Sequence, residues 1–228
     1  MSATLKIDLN AKLYLRDPAQ TELGRRIIGE SVRMIDQIGF EHFTFKKLAV
    51  AIDSTEASIY RYFVNKHKLL IYLISWYWVW LNYQISFNTN HMKDATEKMR
   101  VVIRIIARAL PQASGLSELD EDALYRIVIA EASKVYLTKE VDEDNQDGLF
   151  REFKTLCDSI CGIILEINPH YPFPHALVST LLESSRKQLF FAQHLPSLTE
   201  AGEDAALAVN VVKFLEHLAF SAILNPNI

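Results

Sequence analysis

The chain has 228 residues, half of them hydrophobic and 23% charged, with a mean hydropathy of +0.05; this excludes a disordered or fibrous protein and allows a substantial core. Seven glycines and seven prolines are few for this length and disfavour a turn-rich β sandwich or barrel, so helices are expected. The net charge of −4 divides into +3 over residues 1–70 and −7 over the rest, a basic head on an acidic body that points to a polyanion partner for the head.

After a polar arm of about sixteen residues, Asp17-Pro18-Ala19-Gln20 reads as an N-cap, a proline in the first turn and a capping-box glutamine, so a helix is expected to start here. Ile28, Val32, Ile35 and Ile38 recur at helical spacing, and Gly39 is placed to end the helix. Thr44 caps a second, two-turn helix, with Phe43 and Leu48 at the positions of a hydrophobic staple. Asp53-Ser54 forms a turn, Thr55 caps a short helix to about Phe63, and Asn65 caps a long one that starts Lys66-His67-Lys68 and runs to about Phe87.

Leu69–Asn90 has no formally charged residue, but Asn82, Gln84, Ser86 and Asn88 spoil it as a membrane span, and a buried core helix is the better reading. Further helices are expected at about 94–110, 120–137, 148–167, 175–194 and 203–224. They are separated by Pro111–Leu119, an acidic loop Glu140–Asp147 and the proline-rich loop 168–174. No strand and no internal repeat is apparent.

Two short helices joined by a tight turn, after a longer helix and before a lysine-rich helix start, form a helix-turn-helix pattern. Thr44, Lys46, Tyr60, Arg61, Lys66 and His67 are of types that hold phosphates, whereas Thr55, Glu56, Ala57 and Ser58 are short or polar enough to approach base edges. The run Gly39-Phe40, Phe43-Thr44-Phe45-Lys46-Lys47-Leu48-Ala49, Thr55 to Phe63 and Asn65 to Leu70 resembles the DNA-binding domain of the tetracycline-repressor (TetR) family. Phe45 joins the DNA-binding set as part of that run. Asp53, where a turn glycine is common, and Ala57 and His67 depart from the family's usual residues.

The resemblance implies an all-α protein: a three-helix helix-turn-helix head, residues 1–65, followed by a helical ligand-binding and dimerisation domain, residues 66–228. Trp76, Trp80, Tyr83 and Phe87 form one stripe on the long helix, which reads either as core packing or as the candidate lining for a hydrophobic or amphipathic effector. Leu177, Leu181, Leu182, Leu189 and Phe190 on one helix, with Val209, Val212, Leu215, Leu218 and Ala219 on the last, are the expected homodimer interface, a four-helix bundle.

Other clusters carry less. Cys157 and Cys161 lack metal-ligand spacing and are expected to be buried thiols; with no apolar leader at the start of the sequence, a reducing cytoplasm is the expected compartment. His170 and His175 read as loop histidines, and the acidic runs as solvated. No catalytic fingerprint, metal site or cofactor motif is present. The expected function is a DNA-binding transcriptional regulator, a repressor released from operator DNA by a small effector. The rival is a helical adaptor or enzyme that keeps the head without operator binding.

Overall fold

The computed structural model describes residues 7–110, 119–202 and 204–225, and the expected linker Pro111–Leu119 lies outside that range except for Leu119. Among the described residues there are eleven α-helices and no strand, as an all-α protein requires. The chain forms two compact units, Met1–Val79 with Ala113–Phe153 and Trp80–Gln112 with Lys154–Ile228.

In the first unit α1 spans Glu22–His42. Its start is later than the sequence suggests: Asp17 caps a single 3-10 turn, Pro18–Gln20, and Thr21 is the N-cap of α1, accepting from the Gly24 amide. Gly24 has to be glycine, because a Cβ there would lie 2.2 Å from the Pro18 carbonyl oxygen. Gly39, at φ 74°, breaks the helical geometry as expected, and the chain adds one more turn to His42. α2 (Phe45–Ala51) and α3 (Glu56–Tyr60) follow, each capped by the threonine expected, Thr44 and Thr55. Phe43 and Leu48, the staple pair, are both fully buried, which contributes roughly 1.5–3 kcal/mol per side chain.

α4 (Lys66–Thr89) begins in this unit, with the Asn65 side chain accepting from the Lys68 amide at 2.8 Å. Every residue from Leu69 to Trp78 is buried, which explains the run without charge: it is core. The stretch expected as one helix at 120–137 is instead α6 (Glu121–Glu131) and α7 (Ser133–Tyr136), divided at Ala132. α6 is joined to α1 by Arg126 and Asp36 through two bonds of 2.8 Å, and by Glu131 Oε1, which accepts from the Phe40 amide.

The acidic segment expected as a solvated loop is a correction: Val141–Gln146 forms α8, and Asp144 is only 2% exposed. His67 and Lys68, from the start of α4, reward that burial, as described below. Residues 9–15 of the arm are also packed rather than free. Leu9 and Leu13 are buried, Leu15 N–H donates to the Tyr62 carbonyl at 2.8 Å, and Lys12 meets Asp147 at 2.7 Å.

The second unit holds the rest of α4, α5 (Ala95–Ile106), α9 (Arg151–Ile167) from Lys154 onward, α10 (Pro174–His194) and α11 (Asp204–Ile223). Val102, Ile103, Ile160, Ile164, Leu181 and Leu215 are among its buried residues, and ties at 2.6 and 3.0 Å link Lys98 to Glu166 and Arg100 to Glu216. Cys157 and Cys161 are free and buried, as expected. α11 is the described helix long and apolar enough to cross a membrane, with mean hydropathy 1.5 over Ala206–Ile223, yet only 22% of that stretch is buried.

Candidate nucleic-acid interface

The turn between α2 and α3 sets the site. Asp53 N–H donates to the Val50 carbonyl at 3.2 Å and Ser54 N–H to the Ala49 carbonyl at 2.9 Å, the bond pair of a Schellman motif. Asp53 occupies its left-handed position at φ 47°, where glycine would carry no Cβ penalty. The Arg26 guanidinium donates to the Ile52 carbonyl, so a long side chain from α1 also closes the end of α2.

α3 then starts on Thr55, whose hydroxyl accepts from the Ser58 amide at 3.2 Å and lies 2.8 Å from the Ser58 hydroxyl. Ile59 faces the core, while Thr55, Glu56, Ala57, Tyr60 and Arg61 are exposed and Ser58 is partly so. The first turn of α3 therefore presents short and polar groups to the outside, and Tyr60, packed edge-on against Phe45 at 5.1 Å, stands beside them with its ring held. Thr44 and Lys46 are exposed at the start of α2.

Three residues expected at DNA are placed otherwise. Phe45 is only 4% exposed and packs against Phe43 and Tyr60, so its role is to position the helix. Lys66 turns its ammonium inward, to the Phe40, Glu41 and Phe43 carbonyls at 3.0, 3.4 and 3.2 Å and over the Phe40 ring at 4.6 Å. His67 Nε2 lies 3.2 Å from Asp144 Oδ2, and Lys68 Nζ lies 2.6 Å from Asp144 Oδ1. The physical reason is common to Lys66 and His67: the carbonyls ending α1 and a buried carboxylate on α8 are closer partners than solvent.

Arg16 is a further exposed cation that the helical pattern does not single out. It lies over the Tyr62 ring at 5.6 Å, beside the Leu15–Tyr62 backbone bond, which brings the arm to the end of α3. Only long-range pairing of the arm reveals it, which no local spacing signals.

The stripe expected to line an effector site is not uniform. Trp76 and Trp80 are buried, Tyr83 is half-buried, and Phe87 is 64% exposed and stacked on Tyr83 at 6.0 Å. Gln84, on the same helix in the second unit, is only 5% exposed and its Nε2 has no hydrogen-bond partner among the described residues. Of the expected interface residues, Leu177, Leu181, Leu182, Leu189, Leu215 and Ala219 are buried within one protomer. Val212, Leu218 and Phe190 are partly exposed, and Val209 is half exposed at 52%.

Residues 27–73 match the family described as bacterial regulatory proteins, tetR family. No curated protein matches the chain. Among solved structures, AibR bound to isovaleryl coenzyme A and operator DNA is 14% identical, with a TM-score of 0.58 over 85% of this chain and 97% of that one. The fatty acid degradation regulator FadR from Bacillus halodurans is 18% identical, with a TM-score of 0.59 over 85% and 96%. A transcriptional regulator from Rhodococcus sp. Rha1 is 11% identical, with a TM-score of 0.62 over 92% and 97%. At these identities the likeness is one of fold.

Proposed function

From the match of residues 27–73 to the tetR family of bacterial regulatory proteins, we infer that this chain is a DNA-binding transcriptional regulator, and we propose that it is a cytoplasmic homodimeric repressor without catalytic activity or a resident cofactor. The observation that carries the DNA reading is the first turn of α3, capped by Thr55, exposed, and stocked with Glu56, Ala57 and Ser58. In this reading those residues and Thr55 approach base edges. Thr44, Lys46, Tyr60, Arg61 and Arg16 meet phosphates, and Phe45 and Lys66 hold the frame. Residues 1–65 act as the head and 66–228 as the regulatory body.

Dimerisation is supported by α11. At 100° per residue, Val211, Leu215, Ala219 and Ile223 form its buried strip, while Phe214 and Leu218 continue the apolar surface on one side and Val209 and Val212 on the other. A second copy is the occupant that suits a helix this apolar and this little buried, and one short recognition helix reads too little sequence alone.

The effector we propose is small and largely hydrophobic or amphipathic; AibR, of like fold, is described in complex with isovaleryl coenzyme A, which joins an apolar acyl group to a polar carrier. Gln84 supports this: an amide donor buried without a partner costs about 1–3 kcal/mol and would be satisfied by a ligand acceptor such as a carbonyl. Such an effector lowers operator affinity only through a preference for one conformation of the protein.

A mobility-shift assay with DNA from upstream of the protein's own gene tests the DNA reading. A specific complex whose affinity falls about 10³- to 10⁵-fold between 50 and 200 mM salt is expected for six to ten neutralised phosphates. Absence of any sequence-preferring complex would favour the adaptor or enzyme reading.

A further inference from the structure

The side chains gathered where α8 meets the start of α4 do more than pair charges. We propose that His67, Glu140 and Asp144 form a zinc-binding site, a property independent of operator recognition. One ligand atom from each of the three lies within 4.8 Å of the other two. His67 Nε2 and Asp144 Oδ2 stand 3.2 Å apart. Zinc bonds of about 2.0–2.2 Å in tetrahedral geometry set ligand atoms roughly 3.3–3.5 Å from one another. The pair is therefore already at the edge length of a zinc tetrahedron, within an adjustment of a few tenths of an ångström.

Glu140 precedes Asp144 by one helical turn, so both carboxylates lie on the same side of α8, and Asp144 N–H donates to the Glu140 carbonyl at 2.9 Å. Glu140 is exposed and has the freedom to close on a cation, while Asp144 is held. Lys68 holds it, taking Asp144 Oδ1 at 2.6 Å and leaving Oδ2 turned toward the imidazole. That is the part an outer partner plays in fixing a ligating carboxylate, and its positive charge moderates the affinity. Of the other charges nearby, Asp147 is taken up by Lys12 at 2.7 Å. Two carboxylates and a neutral imidazole balance a divalent charge, and the single nitrogen donor selects zinc over magnesium or calcium, which take oxygen ligands. The fourth position falls to water. The ion would tie the first turn of α4 to α8, both within the first unit.

The test is calorimetric titration of the metal-free, full-length protein with zinc chloride in a non-chelating buffer, with magnesium chloride as the control. One equivalent of zinc is expected to bind and to raise the Tm, with no binding of magnesium. Glu140→Gln and His67→Gln should each weaken zinc binding at least tenfold and abolish the rise in Tm. Glu140→Gln alters an exposed side chain, so its fold is the safer readout, and a circular dichroism spectrum like that of the unaltered protein confirms it. Failure to bind zinc at micromolar concentration, or binding and a Tm shift that persist unchanged in Glu140→Gln, would overturn the site.

Discussion

Lys66 Nζ sits 3.0 Å from the Phe40 carbonyl oxygen and 4.6 Å from the centre of the Phe40 ring, so the first residue of α4 fastens the end of α1 from within. Lys66→Ala removes charge-assisted bonds to three carbonyls and should cost about 1.5 kcal/mol, the lower end for a charged donor because the side chain is partly exposed. Thermal unfolding measures this. The slope of log affinity against log salt should stay nearly unchanged in Lys66→Ala, whereas Lys46→Ala should flatten it by about one unit. Equal flattening in both variants would assign Lys66 to phosphate instead.

Asp53 occupies the left-handed position of the Schellman motif at φ 47°. Asp53→Gly should stabilise the protein by roughly 0.5–1 kcal/mol, since the strain relieved exceeds the added freedom of the unfolded chain. It also removes a negative charge beside the exposed face of α3, so non-specific DNA affinity should rise in the same variant. A lower Tm for Asp53→Gly would mean that the aspartate side chain stabilises the turn.

Phe214 is 44% exposed on α11 and Leu218 is partly so. Phe214→Arg combined with Leu218→Arg should shift the sedimenting species from dimer to monomer with the helical content kept. Leu181→Arg, by contrast, places a charge in a position only 1% exposed within the protomer and should unfold it, at a cost above about 3 kcal/mol. A dimer that survives the double substitution would place the interface elsewhere.

Burial pushes the Cys157 thiol up to about 12 and the Cys161 thiol up to about 11. Both values exceed that of a free thiol, so the folded state holds these protons more tightly than the unfolded one. The associated stability is present in full below about pH 8.5 and is lost as the pH climbs through the thiols' folded values. Iodoacetamide should alkylate neither cysteine at pH 8 in the native protein and both once it is unfolded in guanidinium. Rapid native labelling at pH 8 would show that the second unit opens readily.

The threonine caps, the Phe43–Leu48 staple, the Gly39 stop and the exposed turn at Thr55 are legible in the sequence because each depends on residues within a few positions of one another, and local geometry follows from local chemistry. The same holds for the buried cysteines and for Leu69–Trp78, where an uncharged run has no place but the core. What the tertiary structure decided lies across long stretches of chain. Within Glu140–Asp147, the helix Val141–Gln146 carries a buried carboxylate, Asp144, because Lys68 and His67, more than seventy positions earlier, supply its partners. Lys66 faces inward because α1 ends beside it. The leucines of α10 face the protomer core, leaving Phe214 and Leu218 outside, because helical periodicity marks an apolar face without telling which apolar neighbour covers it.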